Sequence, residues 1–171
     1  MLEVGCGPGV DAARLAARGL EVTATDYAPE FVSIVRERYP ELRARVMDMT
    51  EPDLPSQSFD GVYGFASFIH LPRSLADQTL RRLRELLVPG GLLSLMMIDS
   101  TQGIREYTIE DWIDGGPMLF TCHDPEELET DLAAAGYGEI SCHRVQSDLY
   151  ESMPRLLERG IRSYQLFATR I

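Results

Sequence analysis

The sequence predicts a doubly wound α/β sheet, mostly parallel, and three observations carry that expectation. The apolar run Met1 to Val4 enters a glycine-rich turn, Gly5-Cys6-Gly7-Pro8-Gly9, and passes directly into a helical pattern. Strand-like and helix-like segments keep alternating afterwards, the arrangement that right-handed crossovers fold into a parallel sheet covered by helices. Leu92 to Ile98 has the apolar character of a strand buried on both faces.

Each element has its own signals. Val10, Ala13, Leu15 and Ala16 mark the first helix, which Gly19 stops. Leu20 to Thr25 is the second strand and runs up to Asp26; Pro29 opens the second helix, where Phe31, Ile34, Val35 and Tyr39 recur at helical spacing. Ala44 to Met47 forms a third strand ending at Asp48, and Thr50 to Ser58, rich in Pro, Asp and Ser, is a loop. Phe59 to Phe65 reads as the fourth strand. Leu75, Leu80, Leu83, Leu86 and Leu87 mark the helix after Pro72, closed by Pro89-Gly90-Gly91, and Leu92 to Ile98 is the fifth strand. Asp124-Pro125-Glu126-Glu127 combines an N-cap, a proline at the first helical position and an acidic first turn. It starts a fifth helix through Leu128, Leu132 and Ala135 that stops at Gly136. Ile140 to Val145 and Tyr164 to Thr169 are the last strands, joined by residues 146–162, where Leu156 and Leu157 suggest a short helix.

A chain of 171 residues, 44% hydrophobic and 25% charged, suits one domain, residues 1–171, with a single sizeable core. It has no uninterrupted apolar run of about 18 residues and no signal-peptide pattern at its start, which points to the cytoplasm. Three cysteines at irregular spacing do not make a disulfide framework. With a formal charge of −11, the surface repels polyphosphate, and the basic cluster Arg81, Arg82 and Arg84 reads as a solvated helix face. Nucleic acid and membrane are therefore not expected partners.

The glycine loop is the strongest chemical signal, because it lies between a strand and a helix, where backbone amides and the lack of Cβ atoms let a ligand approach the chain. A dinucleotide fingerprint requires its third glycine at position 10; this chain has Val10 there and Gly9 one step early, which ranks a nicotinamide or flavin oxidoreductase last. Asp26, about twenty residues further on at a strand end, is placed to accept from ribose hydroxyls or, alternatively, to cap the next helix. Asp48-Met49 ends the third strand, and a carboxylate with a thioether suits an exocyclic amine and an aromatic face.

Leu2-Glu3-Val4-Gly5-Cys6-Gly7-Pro8-Gly9 closely resembles the first motif of class I S-adenosylmethionine-dependent methyltransferases. Phe59-Asp60-Gly61-Val62 and Leu87-Val88-Pro89-Gly90-Gly91 resemble that family's fourth-strand motif and the turn before its fifth strand. The resemblance covers Leu2 to Ile98 and implies a Rossmann-like methyltransferase sheet with an antiparallel last strand, S-adenosylmethionine as cofactor, and a small-molecule methyl acceptor. It implies that Gly5, Cys6, Gly7 and Gly9 wrap the methionine portion, with Glu3 helping to hold its ammonium. Asp26 would then bind the ribose, Tyr27 pack on adenine, Asp48 and Met49 take the adenine amine and ring, and Phe65 and Ala66 border the cofactor. Family members usually carry helices before the first strand, which this sequence lacks.

Methyl transfer needs few catalytic groups, since the sulfonium already activates the methyl. His70, following the fourth strand, is the candidate general base, with a structural or substrate-shaping histidine as the alternative. Residues Ser100 to His123 are too long for a simple connector; Tyr107 and Trp112, with Met118 and Phe120, are candidates to line an acceptor pocket or else to pack a small hairpin or helix. Cys122-His123 and Cys142-His143 invite a zinc site, but neighbouring residues on a strand face opposite ways, so no metal is expected. A catalytically silent cofactor-binding partner or regulatory domain is the competing reading.

Overall fold

The computed structural model describes residues 1–112, 116–145, 156 and 158–171, and in it the apolar runs become strands separated by helices. The order is β1 (Leu2–Val4), α1 (Val10–Ala16), β2 (Thr23–Asp26), α2 (Pro29–Arg38), β3 (Arg43–Val46), β4 (Phe59–Gly64), a single 3-10 turn (Phe68–His70), α3 (Arg73–Leu86) and β5 (Leu87–Ser100). There follow β6 (Glu106–Ile109), β7 (Met118–Thr121), α4 (Pro125–Ala134), β8 (Tyr137–Arg144) and β9 (Ile161–Arg170). Among the described residues no helix is long and apolar enough to cross a membrane.

Seven strands form one sheet in the order β3-β2-β1-β4-β5-β9-β8, and β6 pairs with β7 as a separate hairpin. The first five pair in parallel, while β9 runs antiparallel to both β5 and β8, as expected for the last strand. Strand order reverses between β1 and β4, so successive connections leave their carboxyl ends in opposite directions and open a crevice there. One core cluster unites β1, β4 and β5 with α3 and α4; the other joins Ala12 of α1 and Val35 of α2 to Ala24 of β2. At the far end of the sheet, Arg144 and Arg162 both pair with the buried Asp99 of β5, fastening β8 and β9 to it.

Several expectations need correction. The helix at Asp124 is the fourth rather than the fifth, following α1, α2 and α3, and residues 47–58 join β3 to β4 without a helix, in line with the loop expected at Thr50 to Ser58; its cap is as predicted, Asp124 accepting from Glu126 N and Glu127 N. The buried face of α2 is Val32 and Val35, and Phe31 is turned outward. On α3 the core face is Ala76, Leu80, Leu83 and Leu86, at i, i+4, i+7 and i+10, which leaves Leu75 exposed and hands Leu87 to β5. Arg81, Arg82 and Arg84 do more than solvate a face, since each donates to a backbone carbonyl: of Ala134, Thr50 and Gly136 respectively. Leu157 lies outside the described residues.

Candidate functional site

The carboxyl ends of β1 to β4 open onto one cleft of about 710 Å³, within the range of small-molecule sites. The glycine loop forms its first wall. Gly5, Gly7 and Gly9 take left-handed φ values of 70°, 51° and 81°, and Cys6 N donates to Thr25 O, which holds the loop to β2. A Cβ at Gly5 would run into Ser67, whereas the same direction from Gly7 is open space, so a ligand can approach the backbone there. Gly9 does not line the cleft: it is the N-cap of α1 and lies against Val35, where a side chain has no room.

Asp26, at the tip of β2, fixes the loop from below. Its Oδ2 accepts from Gly7 N at 2.8 Å and its Oδ1 from Ala28 N at 2.9 Å. It does not cap α2, whose N-cap is Ala28 without a side-chain bond. A carboxylate oxygen has two lone pairs, so each retains acceptor capacity toward the cleft.

Glu3 is 2% exposed yet lines the same cleft. Burial, with Asp11 and Asp26 adding repulsion, pushes its carboxyl up to about 8 against a hydrogen bond from the Ala12 backbone. Its Oε2 has no hydrogen-bond partner among the described residues. A buried acceptor so placed favours a ligand that brings a donor, above all a cationic one. Burial likewise pushes the Cys6 thiol up to about 12, which leaves it unreactive at neutral pH.

At the tip of β3, Asp48 Oδ1 accepts from both the backbone N and Oγ1 of Thr50, at 2.8 and 2.7 Å, closing a turn that carries Met49 to the cleft wall. Tyr27, 76% exposed, stands on the rim with Phe31. After β4 the chain bends through Ala66, whose φ of 53° is uncommon for a residue with a Cβ, and Ser67 Oγ donates to Val4 O at 2.7 Å to hold the bend against β1.

His70 closes the far side. Its Nδ1 lies 2.7 Å from Leu119 O, and because a carbonyl only accepts, Nδ1 carries the proton and Nε2 offers a lone pair. Burial holds the imidazole below its ordinary pKa, opposed by the Leu119 and Ala66 carbonyls, so it is neutral at pH 7. Phe120 backs the ring edge-on at 4.9 Å.

Of the residues singled out from sequence, Glu3, Gly5, Cys6, Gly7, Asp26, Tyr27, Asp48, Met49, Phe65, Ala66 and His70 line this one cleft. Tyr107 and Trp112 do not; they pack on Phe120, stacked at 5.2 Å and edge-on at 4.9 Å, Tyr107 because it is the cross-strand partner of Phe120 in the antiparallel β6–β7 pair and Trp112 from the connection after β6. From that stretch Met118 reaches the cleft instead. Sequence reasoning missed Asp11, Thr50, Ser67 and Leu75 as lining residues. Asp11 had a signal in its place just after the last glycine; Ser67 had none, since its position depends on the bend at Ala66. Among the described residues no group of three or more His, Cys, Asp or Glu is arranged to hold a metal. Cys122 and His123 are buried, and His143 is exposed beside Ser141.

A family model described as a methyltransferase domain matches residues 1–91, more than half of the chain. The ubiquinone biosynthesis O-methyltransferase of Xanthomonas campestris pv. campestris (strain B100) is 36% identical over 108 residues, covering 59% of this chain and 44% of that protein. This chain thus spans less than half the length of that curated relative. Among solved structures, a SAM-dependent methyltransferase from Methanosarcina mazei matches with a TM-score of 0.80 at 17% identity, covering 99% of this chain and 91% of its own. The 1,6-didemethyltoxoflavin-N1-methyltransferase of Burkholderia thailandensis, bound to 1,6-didemethyltoxoflavin and S-adenosylhomocysteine, matches with a TM-score of 0.73 at 21% identity, covering 99% and 69%. At these identities the likeness is one of fold.

Proposed function

The chain belongs to the class I S-adenosylmethionine-dependent methyltransferase family, and on that footing we propose that it transfers a methyl group from S-adenosylmethionine to a small-molecule acceptor in the cleft. The observation that carries this reading is the meeting of Gly7, Asp26 and Asp48, from three successive strand tips, in one cavity, with Gly7 N bonded to Asp26 Oδ2. The residues fit the cofactor. The Oε2 of Glu3, without a partner among the described residues, suits its ammonium, the open side of Gly7 its methionine backbone, Asp26 its ribose hydroxyls, and Asp48 its adenine amine. Tyr27 and Met49 then flank the purine ring, and Phe65 and Ala66 border the reacting end.

Bound there, the cofactor supplies a methyl group that its sulfonium already makes electrophilic. The chain's own residues then have two tasks. The cleft walls align the acceptor with the methyl carbon and exclude water from it. His70 Nε2 takes the acceptor's proton where there is one, held in the right tautomer by Leu119 O.

Isothermal calorimetry with S-adenosylhomocysteine tests the reading. Asp26→Ala removes charge-assisted hydrogen bonds of about 1.5–3 kcal/mol, so its affinity should fall by roughly ten- to hundredfold. Unchanged affinity would contradict the assignment.

A further inference from the structure

The charge on the cleft wall is one-sided. Four acidic side chains line it, those of Glu3, Asp11, Asp26 and Asp48, with Glu3 mostly protonated at pH 7 and Asp11 paired with Arg14, and among the described residues no arginine does; the sequence contains no lysine at all. The nearby guanidiniums are committed elsewhere. Arg14 pairs with Asp11 on the outside of α1, Arg82 donates to Thr50 O, and Arg73 is held by Glu127 and Cys122 O. The part of the wall beyond the three strand tips consists of Phe65, Ser67, His70, Leu71, Leu75 and Met118. Phe65 and Leu75 are each 38% exposed, which leaves apolar surface open to a ligand. Among the described residues the one basic group there is His70, neutral and with Nδ1 committed to Leu119 O, which leaves Nε2 as its basic nitrogen.

Resting on the methyl-transfer reading, we propose that the acceptor is an uncharged, largely apolar molecule bearing a phenolic or enolic hydroxyl, and that carboxylate and phosphate acceptors are rejected. An anion entering this lobe loses its hydration and meets no cationic side chain among the described residues of the wall, while the acidic strand tips lie in the same cleft. An apolar ring instead covers Phe65, Leu71, Leu75 and Met118. The hydroxyl follows from His70: a neutral imidazole that burial makes less basic matches a weakly acidic O–H far better than an aliphatic alcohol. In the step, the O–H bond breaks and its proton goes to Nε2. The oxygen's electron pair forms the new O–CH₃ bond as the S–CH₃ bond breaks, the sulfonium becomes a neutral thioether, and Nε2 later releases the proton to water.

Three probes on one ring scaffold test this: methyl 3,4-dihydroxybenzoate, its free carboxylate, and 4-hydroxyphenyl phosphate. Calorimetry on the S-adenosylhomocysteine-loaded protein should show the ester binding at least tenfold more tightly than either anion, and kcat/KM for methylation should follow the same order. Leu75→Arg, an exposed position, should narrow the ester-to-carboxylate ratio by about tenfold. Equal or tighter binding of an anion overturns the proposal, as does binding of none of the three by protein that takes up S-adenosylhomocysteine. Failure to bind S-adenosylhomocysteine at all removes the methyl-transfer reading itself, a result distinct from the other two.

Discussion

At the scale of single residues, Glu3 couples the cofactor site to protons. Its carboxyl is pushed up to about 8 by burial and by repulsion from Asp11 and Asp26, so at pH 7 it is mostly protonated in the free protein. An ammonium brought to Oε2 favours the ionised form. Binding of S-adenosylhomocysteine at pH 7 should therefore release close to one proton, read from calorimetry in buffers of different ionisation enthalpy. Glu3→Gln should release none and bind more weakly. Proton release that is the same in both would remove Glu3 from the site. His70 shows the complementary logic, a neutral base whose tautomer is set by one carbonyl rather than by a charged neighbour.

At the scale of elements, the β6–β7 hairpin contributes Met118 to the cleft wall. Among the described residues it has no strand pairing to the main sheet. Side chains fasten it: His70 to Leu119 O, Thr121 Oγ1 to Leu71 O at 2.6 Å, Arg73 N to Glu106, and Arg73 and Arg105 to Glu127 of α4. Glu127 is the common anchor, its carboxyl held down to about 2 by Arg105 and Arg73. The pairs are half exposed, so salt screens them. Glu127→Gln should speed amide hydrogen exchange at 106–109 and 118–121 severalfold and raise acceptor KM while leaving cofactor affinity unchanged. High salt should shift the unmodified protein in the same direction. Exchange rates insensitive to both changes would show that the Glu127 ion pairs do not hold the hairpin, leaving that to the His70 and Thr121 hydrogen bonds and to the packing of His70 on Phe120.

At the scale of the whole molecule, two buried groups shape stability against pH with opposite signs. His123 is 3% exposed and held down to about 4 by burial and by Arg73, so the unfolded chain binds the extra proton between about pH 6.5 and 4, and stability falls as pH falls through that window, by about 3 kcal/mol. Glu3 binds its proton in the folded state from 4.5 up to about 8, so stability falls as pH rises through that window. The two slopes cancel between 4.5 and 6.5, and thermal unfolding should show a plateau there with declines on both sides. Glu3→Gln should remove the alkaline decline; a Tm that keeps falling from pH 6.5 to 8 in that variant would refute its origin in Glu3. The sequence by itself determined the sheet class, the glycine loop and the acids at the tips of β2 and β3, because periodicity, glycine spacing and strand ends are local and short in range. Gly9, Tyr107 and Trp112 satisfy local criteria equally well, and the fold turns them to packing. The tertiary structure alone brings Leu75 and Met118 to the cleft, leaves Glu3 Oε2 without a partner among the described residues, commits His70 Nδ1 to Leu119 O, and places no guanidinium of the described residues on the wall. Those properties arise where segments far apart in the chain meet, and burial, the source of each, has no value until they do.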